Sequence, residues 1–390
     1  MSLPLAGDVG LQPLCSRPSR FRLSLSFSFF GIPTAADASG ANRFRAPQPL
    51  SNWVSPRETV TERMCTHNHF DFEGVATFSG QEDCISVDVM TTTAAVGLPV
   101  FVYIHGGGFT TQDPPYSRVT NGYYQQATEG ESRTAVSVFI HYRVGALGFL
   151  AHPGLTAETS HAGSGNWGLM DVITNLEWVR DNIANFGGDA SRVTLVGESA
   201  GGTIAMMLSA SPLTAGLFSN VIAQSPYMGG NFKAGTYGIT ARYEMASMFV
   251  SANGCSSGAT ASAIGVPIGT DAADEIACMR SVPAAMLEAR TAQQAGAAFD
   301  AVYGAGAHGL VTYNGIQCWP VVDDHVLTQA PLDAWAAGVG AGVAFMIGMN
   351  SDEYTLFYPC ATATVSTQGP HPHFLTLTPL PRTLTLTPHV

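Results

Sequence analysis

"RVTLVGESAGGTIAMM" (residues 192–207) is the stretch on which the reading of this chain turns. A small apolar run passes into Gly197-Glu198-Ser199-Ala200-Gly201, and a helix-forming stretch follows, predicted from about Gly202 to Ser211. A buried strand that turns at once into a helix needs small residues at the corner, and Ala200, Gly201 and Gly202 supply them. Ser199 stands on the turn, where a serine nucleophile is held. Its hydroxyl is a poor nucleophile without a base to take the proton. Gly-x-Ser-x-Gly alone carries little weight in a chain with 42 glycines in 390 residues; the strand before it and the helix after it give the motif meaning.

Working outward, "LPVFVYIHGGGF" (98–109) is a continuous apolar run that opens into three glycines, the pattern of a buried parallel strand ending in a loop. Acyl-bond hydrolysis puts negative charge on a carbonyl oxygen, and backbone N–H groups must already point there. Gly106, Gly107 and Gly108 allow that close approach. "TAVSVFIHYRVGALGFL" (134–150), "NVIAQS" (220–225) and "VAFMIGMN" (343–350) read as further buried strands. Leu169, Ile173, Leu176, Val179 and Ile183 recur at helical spacing until the Gly187-Gly188 pair. Strands alternating with amphipathic helices imply an α/β fold with a mostly parallel sheet covered on both faces. Residues 229–300, rich in Gly, Ala and Ser, read as a helical insertion or lid.

Composition narrows the function classes. The chain is 46% hydrophobic and 12% charged, enough apolar material for a sizeable core. Its net charge is −12 and Lys233 is its sole lysine, so there is no basic patch for a phosphate backbone, and nucleic acid is not an expected partner. No run of 18 apolar residues suggests a transmembrane helix. "FRLSLSFSFF" (21–30) is interrupted by serines and is not read as a targeting segment. The seven cysteines form no CxxC or His/Cys cluster, so no metal site is expected. The Cys65/Cys84 and Cys255/Cys278 spacings fit either local disulfides or free core thiols.

The chain resembles the type-B carboxylesterase/cholinesterase family of α/β-hydrolases. The blocks that carry the resemblance are "FGIPTAADASGANRFRAPQPLSNW" (30–53), "QEDCISVDV" (81–89), the long run 165–202, "GCSS" and "ACMRSVP" within 254–283, "WPVVDDHVL" (319–327) and "IGMNSDEYTLF" (347–357). They occur in order over about residues 26–358. The Glu-Asp-Cys block, the Phe-Gly-Gly-Asp run and Glu198 separate it from the hormone-sensitive-lipase-like esterases, which share His-Gly-Gly-Gly. The resemblance implies Ser199 as nucleophile, an oxyanion hole from the N–H groups of Gly107, Gly108 and Ala200, and Glu353 as triad acid. It further implies disulfides Cys65–Cys84 and Cys255–Cys278, hence an oxidising, secretory setting, and no cofactor. The expected substrate is a small-molecule ester. Three positions depart from the family pattern: Val172 where Gln is usual, Pro226 where Gly is usual, and Tyr354 after the acid.

The base is the open question. In this fold the triad runs Ser, acid, His, and the family's histidine follows its acid in a Gly-x-x-His block. Downstream of Glu353 stand only His371, His373 and His389, all within a Thr/Pro/Leu/His segment in which "LTLTP" occurs at 375–379 and 384–388. The sequence therefore predicts a type-B domain over 26–359, incomplete at its C-terminus, with an atypical segment 1–25 and a low-complexity, disordered tail 360–390. Ester hydrolysis through an acyl-enzyme is expected to be impaired in the chain as written. The alternative is a cholinesterase-like binding or adhesion protein without catalysis, or a fragment with no function of its own.

Overall fold

The structure is a computed structural model and describes residues 26–51, 63–70, 76–92, 96–112, 135–227, 239–256, 271–288 and 319–351. Its strands are β1 (Ser26–Pro33), β2 (His67–Phe70), β3 (Ala76–Ser79), β4 (Ser86–Thr92), β5 (Leu98–Ile104), β6 (Val136–His141), β7 (Gly188–Glu198), β8 (Asn220–Gln224) and β9 (Ala344–Gly348). Its helices are α1 (Gly145–Phe149), α2 (Pro153–Ala157), α3 (Trp167–Asn182), α4 (Ala200–Ser209), α5 (Ile239–Ala252), α6 (Ala272–Ser281) and α7 (Pro331–Ala336). Glu353 and the segment 360–390 lie outside the described residues, as does most of the predicted insertion apart from α5 and α6.

Seven strands form one sheet in the order β1-β4-β6-β5-β7-β8-β9. β1 and β4 pair antiparallel at one edge, and β6, β5, β7, β8 and β9 run parallel to one another. The uninterrupted apolar runs follow from this layout. Successive side chains on a strand point to opposite faces, and here both faces are apolar. Val100, Val102 and Ile104 join the main core, whereas Tyr103 packs with Met90, Phe139 and Val196 in a second cluster. The hydrophobic stretch near residue 21 is accounted for from Ser26 onward, where it becomes β1. β2 and β3 make a separate two-stranded ribbon that the sequence pattern did not reveal.

The predicted elements shift in informative ways. Helix α4 starts at Ala200, directly after the serine, and all ten of its residues are buried against β7, β8 and β5. The run 134–150 divides into β6 and the short helix α1, because Gly145, at φ 60°, starts a new turn. β9 is the larger surprise. It was expected to be buried, yet Met346 and Ile347 are exposed, because among the described residues it is the sheet's last strand.

Polar ties fix the pieces around the sheet. Cys65 is bonded to Cys84, and Cys255, just beyond α5, to Cys278 within α6. The Arg43 guanidinium grips Glu82 with two bonds of 2.6 and 2.8 Å and donates to the Arg280 and Val282 carbonyls, capping the C-terminal end of α6. Deeper, Arg143 donates to both oxygens of Asp171 at 2.7 and 2.8 Å, and both side chains are buried. Removing one partner strands the other's charge in the interior. Asp171→Ala is therefore expected to lower unfolding free energy by about 3–5 kcal/mol, read as a drop in the denaturant midpoint. Replacing both partners by apolar residues should cost much less.

Candidate active site

Sheets of this kind present their ligand sites at the carboxyl ends of the parallel strands, and Ser199, Ala200, Gly107 and Gly108 lie there, whereas Glu353 falls outside the described residues. β5 ends at Ile104 and runs into His105-Gly106-Gly107-Gly108, and its neighbour β7 ends at Glu198 and runs into Ser199. Ser199 takes φ 52° and ψ −119°, a left-handed conformation for a residue with a side chain. Such a backbone costs on the order of 1–3 kcal/mol and persists only where the surroundings impose it. They do so here. The Ser199 N–H donates to Gln224 O of β8 at 2.8 Å, and the Ser199 carbonyl accepts from Thr203 N at 2.9 Å.

The glycines around the serine are required by contact. A side chain on Gly201 would strike the Ile104 carbonyl, and one on Gly197 would strike Gly201. A β-carbon on Gly106 would lie 2.7 Å from Glu198 Oε2 and 3.2 Å from Ser199 Cβ. The glycine loop thus lies directly against Ser199. Gly107 and Gly108 both have positive φ, at 98° and 61°. Ala200 opens helix α4, so its N–H has no intrahelical acceptor.

Thr203, fully buried on α4, holds the corner together. Its hydroxyl lies 3.0 Å from Ser199 O and accepts from the Tyr227 N–H at 2.9 Å. The residue was not singled out in the sequence, where a threonine four positions after the serine looks like helix filling. Thr203→Val removes the hydroxyl that accepts the Tyr227 N–H and bonds Ser199 O, and should destabilise the protein by about 1–3 kcal/mol. Thr203→Ser, which keeps the hydroxyl, should restore most of the loss in thermal melts.

Two of the family departures can be followed. Val172 is buried in the core on α3, and Pro226 is buried beyond β8. Ser225, at φ 45°, donates its N–H to Gly348 O at the end of β9. The chain therefore leaves β9 toward Glu353 from beside Gln224, the residue whose carbonyl holds Ser199. Glu353 and Tyr354 themselves lie outside the described residues, as do His308, His371, His373 and His389.

The histidines with described side chains are otherwise engaged. His141 meets the buried Asp88 carboxylate through Nε2 at 3.0 Å and Gln112 through Nδ1 at 2.7 Å. His152 pairs with Glu275 and caps α2 by accepting from the Gly154 N–H. His161 and His325 stack on each other at 3.9 Å, and His67 Nδ1 lies 2.7 Å from Cys65 O. His105 stacks on Tyr142 at 4.2 Å with Nδ1 2.8 Å from Gly106 O. Burial pushes its pKa down to about 3, so its ring supports the glycine loop as a neutral group. None of these six hydrogen-bonds Ser199. Among the described residues there is also no cluster of three or more His, Cys, Asp or Glu fit to hold a metal, and no helix is long and apolar enough to cross a membrane.

Comparison with known proteins gives this geometry its setting. Residues 22–374 match the carboxylesterase family. The fumonisin B1 esterase of Sphingopyxis macrogoltabida is 37% identical over 202 residues, which are 51% of this chain and 36% of that protein. Liver carboxylesterase 1 of Oryctolagus cuniculus is 29% identical over 347 residues, 85% of this chain and 55% of that one. A solved PNB esterase superposes with a TM-score of 0.67 at 26% identity, covering 87% of this chain and 62% of its own. The matches thus span between about a third and two thirds of the relatives' length. With a matching family signature over most of its residues and the same mixed α/β-hydrolase sheet, the chain belongs to the carboxylesterase family.

Proposed function

We propose that the chain carries a serine site for hydrolysing small carboxylic esters through an acyl-enzyme. The observation that carries the reading is Ser199 itself, forced to φ 52° on the strand-to-helix turn with the glycine loop packed against it. In the proposed reaction Ser199 Oγ attacks the ester carbonyl carbon, and its proton passes to a base. The carbonyl oxygen becomes an oxyanion held by the N–H groups of Gly107, Gly108 and Ala200. Collapse of that intermediate expels the alcohol, and water then releases the acid from the acyl-serine. Glu353 is the proposed acid that would orient and charge-stabilise the base. The family's esterase members support the substrate class, and the two disulfides support residence in an oxidising, secretory compartment.

The base governs how fast this runs. No described histidine contacts Ser199, and none downstream of Glu353 stands in a Gly-x-x-His block. We therefore propose that turnover by this chain is impaired for want of a general base. Added imidazole supplies one from solution. A p-nitrophenyl ester should be hydrolysed slowly by the purified chain and faster with millimolar imidazole, beyond the imidazole blank. An imidazole-independent rate typical of a complete triad enzyme would overturn the impairment. Absence of any protein-dependent rate at all imidazole concentrations would overturn the esterase reading and favour a binding role.

A further inference from the structure

One buried donor beside the site has no acceptor among the described residues. Trp319 is 5% exposed, and its Nε1–H makes no hydrogen bond to any of them. The other two buried or half-buried indoles with assigned bonds behave differently: Trp167 Nε1 donates to Leu150 O and Trp335 Nε1 to Ser209 Oγ. Buried polar groups are paired as a rule, and an orphan calls for a reason.

Its location supplies one. The Trp319 ring lies 5.1 Å from Phe109, the residue that follows the three loop glycines, and 5.0 Å from Tyr227. Tyr227 is the residue whose N–H is held by Thr203, and Thr203 also bonds Ser199 O. Both neighbours of Trp319 are thus tethered to the proposed reaction centre, one through the oxyanion loop and one through the nucleophile turn. Phe109 is wholly buried, whereas Tyr227 is 39% exposed. Of the two rings packed against the indole, Tyr227 is the one that solvent reaches.

We propose that the Trp319 indole N–H is a specificity-determining donor, which hydrogen-bonds a second acceptor oxygen carried by the ester beside its reacting carbonyl. The inference rests on the esterase reading and names the substrate class for that site: esters with an ether or carbonyl oxygen in addition to the ester group. The oxygen can sit in either half of the molecule. A site built to donate a hydrogen bond discriminates against analogues that lack the acceptor, because its own donor is then left unpaired.

The test uses the Ser199→Ala protein, labelled with 15N at its indoles so that ligands bind without turnover. The Trp319 resonance is the one absent from a Trp319→Phe spectrum. Ethyl methoxyacetate carries the extra oxygen on the acyl side, 2-methoxyethyl acetate carries it on the alcohol side, and ethyl butyrate and butyl acetate are plain controls. The Trp319 N–H should move downfield with one of the first two and not with its control, which also says which half carries the acceptor. With imidazole present and Ser199 intact, Trp319→Phe should lower the ratio of kcat/KM for that ester over its control by about tenfold. If the resonance stays put with both methoxy esters, the inference is overturned, and the N–H is spent on the faces of its aromatic neighbours. Labelling of Ser199 by a fluorophosphonate, run separately, reports on the esterase reading whatever the indole does.

Discussion

Ser199→Ala is expected to abolish the acceleration that imidazole brings to protein-dependent ester hydrolysis, leaving at most the slow residual rate that charge stabilisation alone supports. This follows from the division of labour at the site. In the proposed mechanism the glycine loop and the N-terminus of α4 would stabilise charge whether or not a nucleophile is present, so some binding and polarisation should survive the change. What vanishes is the covalent route. The substitution is well suited to the test, because the backbone at position 199 is held by Gln224 O and Thr203 N. Alanine keeps both bonds, and its melting temperature should stay near that of the parent. A variant that folds equally well and hydrolyses equally well would mean that the residue on the turn is not the nucleophile.

Acidification below neutrality should cost the fold stability through His105. In the unfolded chain its imidazole takes a proton near pH 6.5, whereas burial in the fold holds it neutral down to about pH 3. Between those limits the unfolded state binds one more proton, so stability falls as pH falls. At about 1.4 kcal/mol per pH unit, the window amounts to on the order of 5 kcal/mol. His152 and His161, also lowered chiefly by burial, act in the same direction. Glu288 acts against them. Burial raises its carboxyl well above the usual range, so it loses stability as pH rises through and beyond 4.5. Replacing His105 by phenylalanine retains a ring against Tyr142 and removes the titration. Between pH 7 and pH 5 the unfolding free energy, read from denaturant unfolding at pH 7, 6 and 5, should then fall by about 2 kcal/mol less for His105→Phe than for the parent. Equal slopes would show that His105 titrates normally in the fold.

The parts of this molecule that sequence made legible are those where chemistry restricts residue choice. Gly197, Gly201 and Gly106 are dictated by contacts with backbone and with Glu198, so the glycine pattern around Ser199 already outlined the corner. The apolar runs at 98–104 and 136–141 announced buried parallel strands, because both faces of the sheet are covered. β9 shows the limit of that argument. Its composition is that of a central strand, but whether a strand has one neighbour or two is decided by the rest of the sheet. Thr203, Tyr227 and Trp319 were illegible for a related reason. The contacts among Thr203, Tyr227, Trp319 and Phe109 join distant parts of the chain, and nothing local marks a threonine as a clamp or an indole as unpaired. The ribbon β2–β3 was hidden by short strands of mixed polarity.

The disulfide pairs lay between these cases. Their spacing left bonded and free thiols equally open, and the family resemblance supplied the pairing that the structure then contains.

The most direct test of the account is to locate the residue that reacts as the nucleophile. The protein is treated with a fluorophosphonate in the presence of imidazole, digested with trypsin and examined by mass spectrometry. Cleavage after Arg192 and Lys233 yields one peptide that contains the whole serine turn. The account predicts a single adduct, on Ser199 within that peptide, and none in Ser199→Ala. An adduct on another residue, or imidazole-supported turnover with Ser199 unmodified, would contradict it.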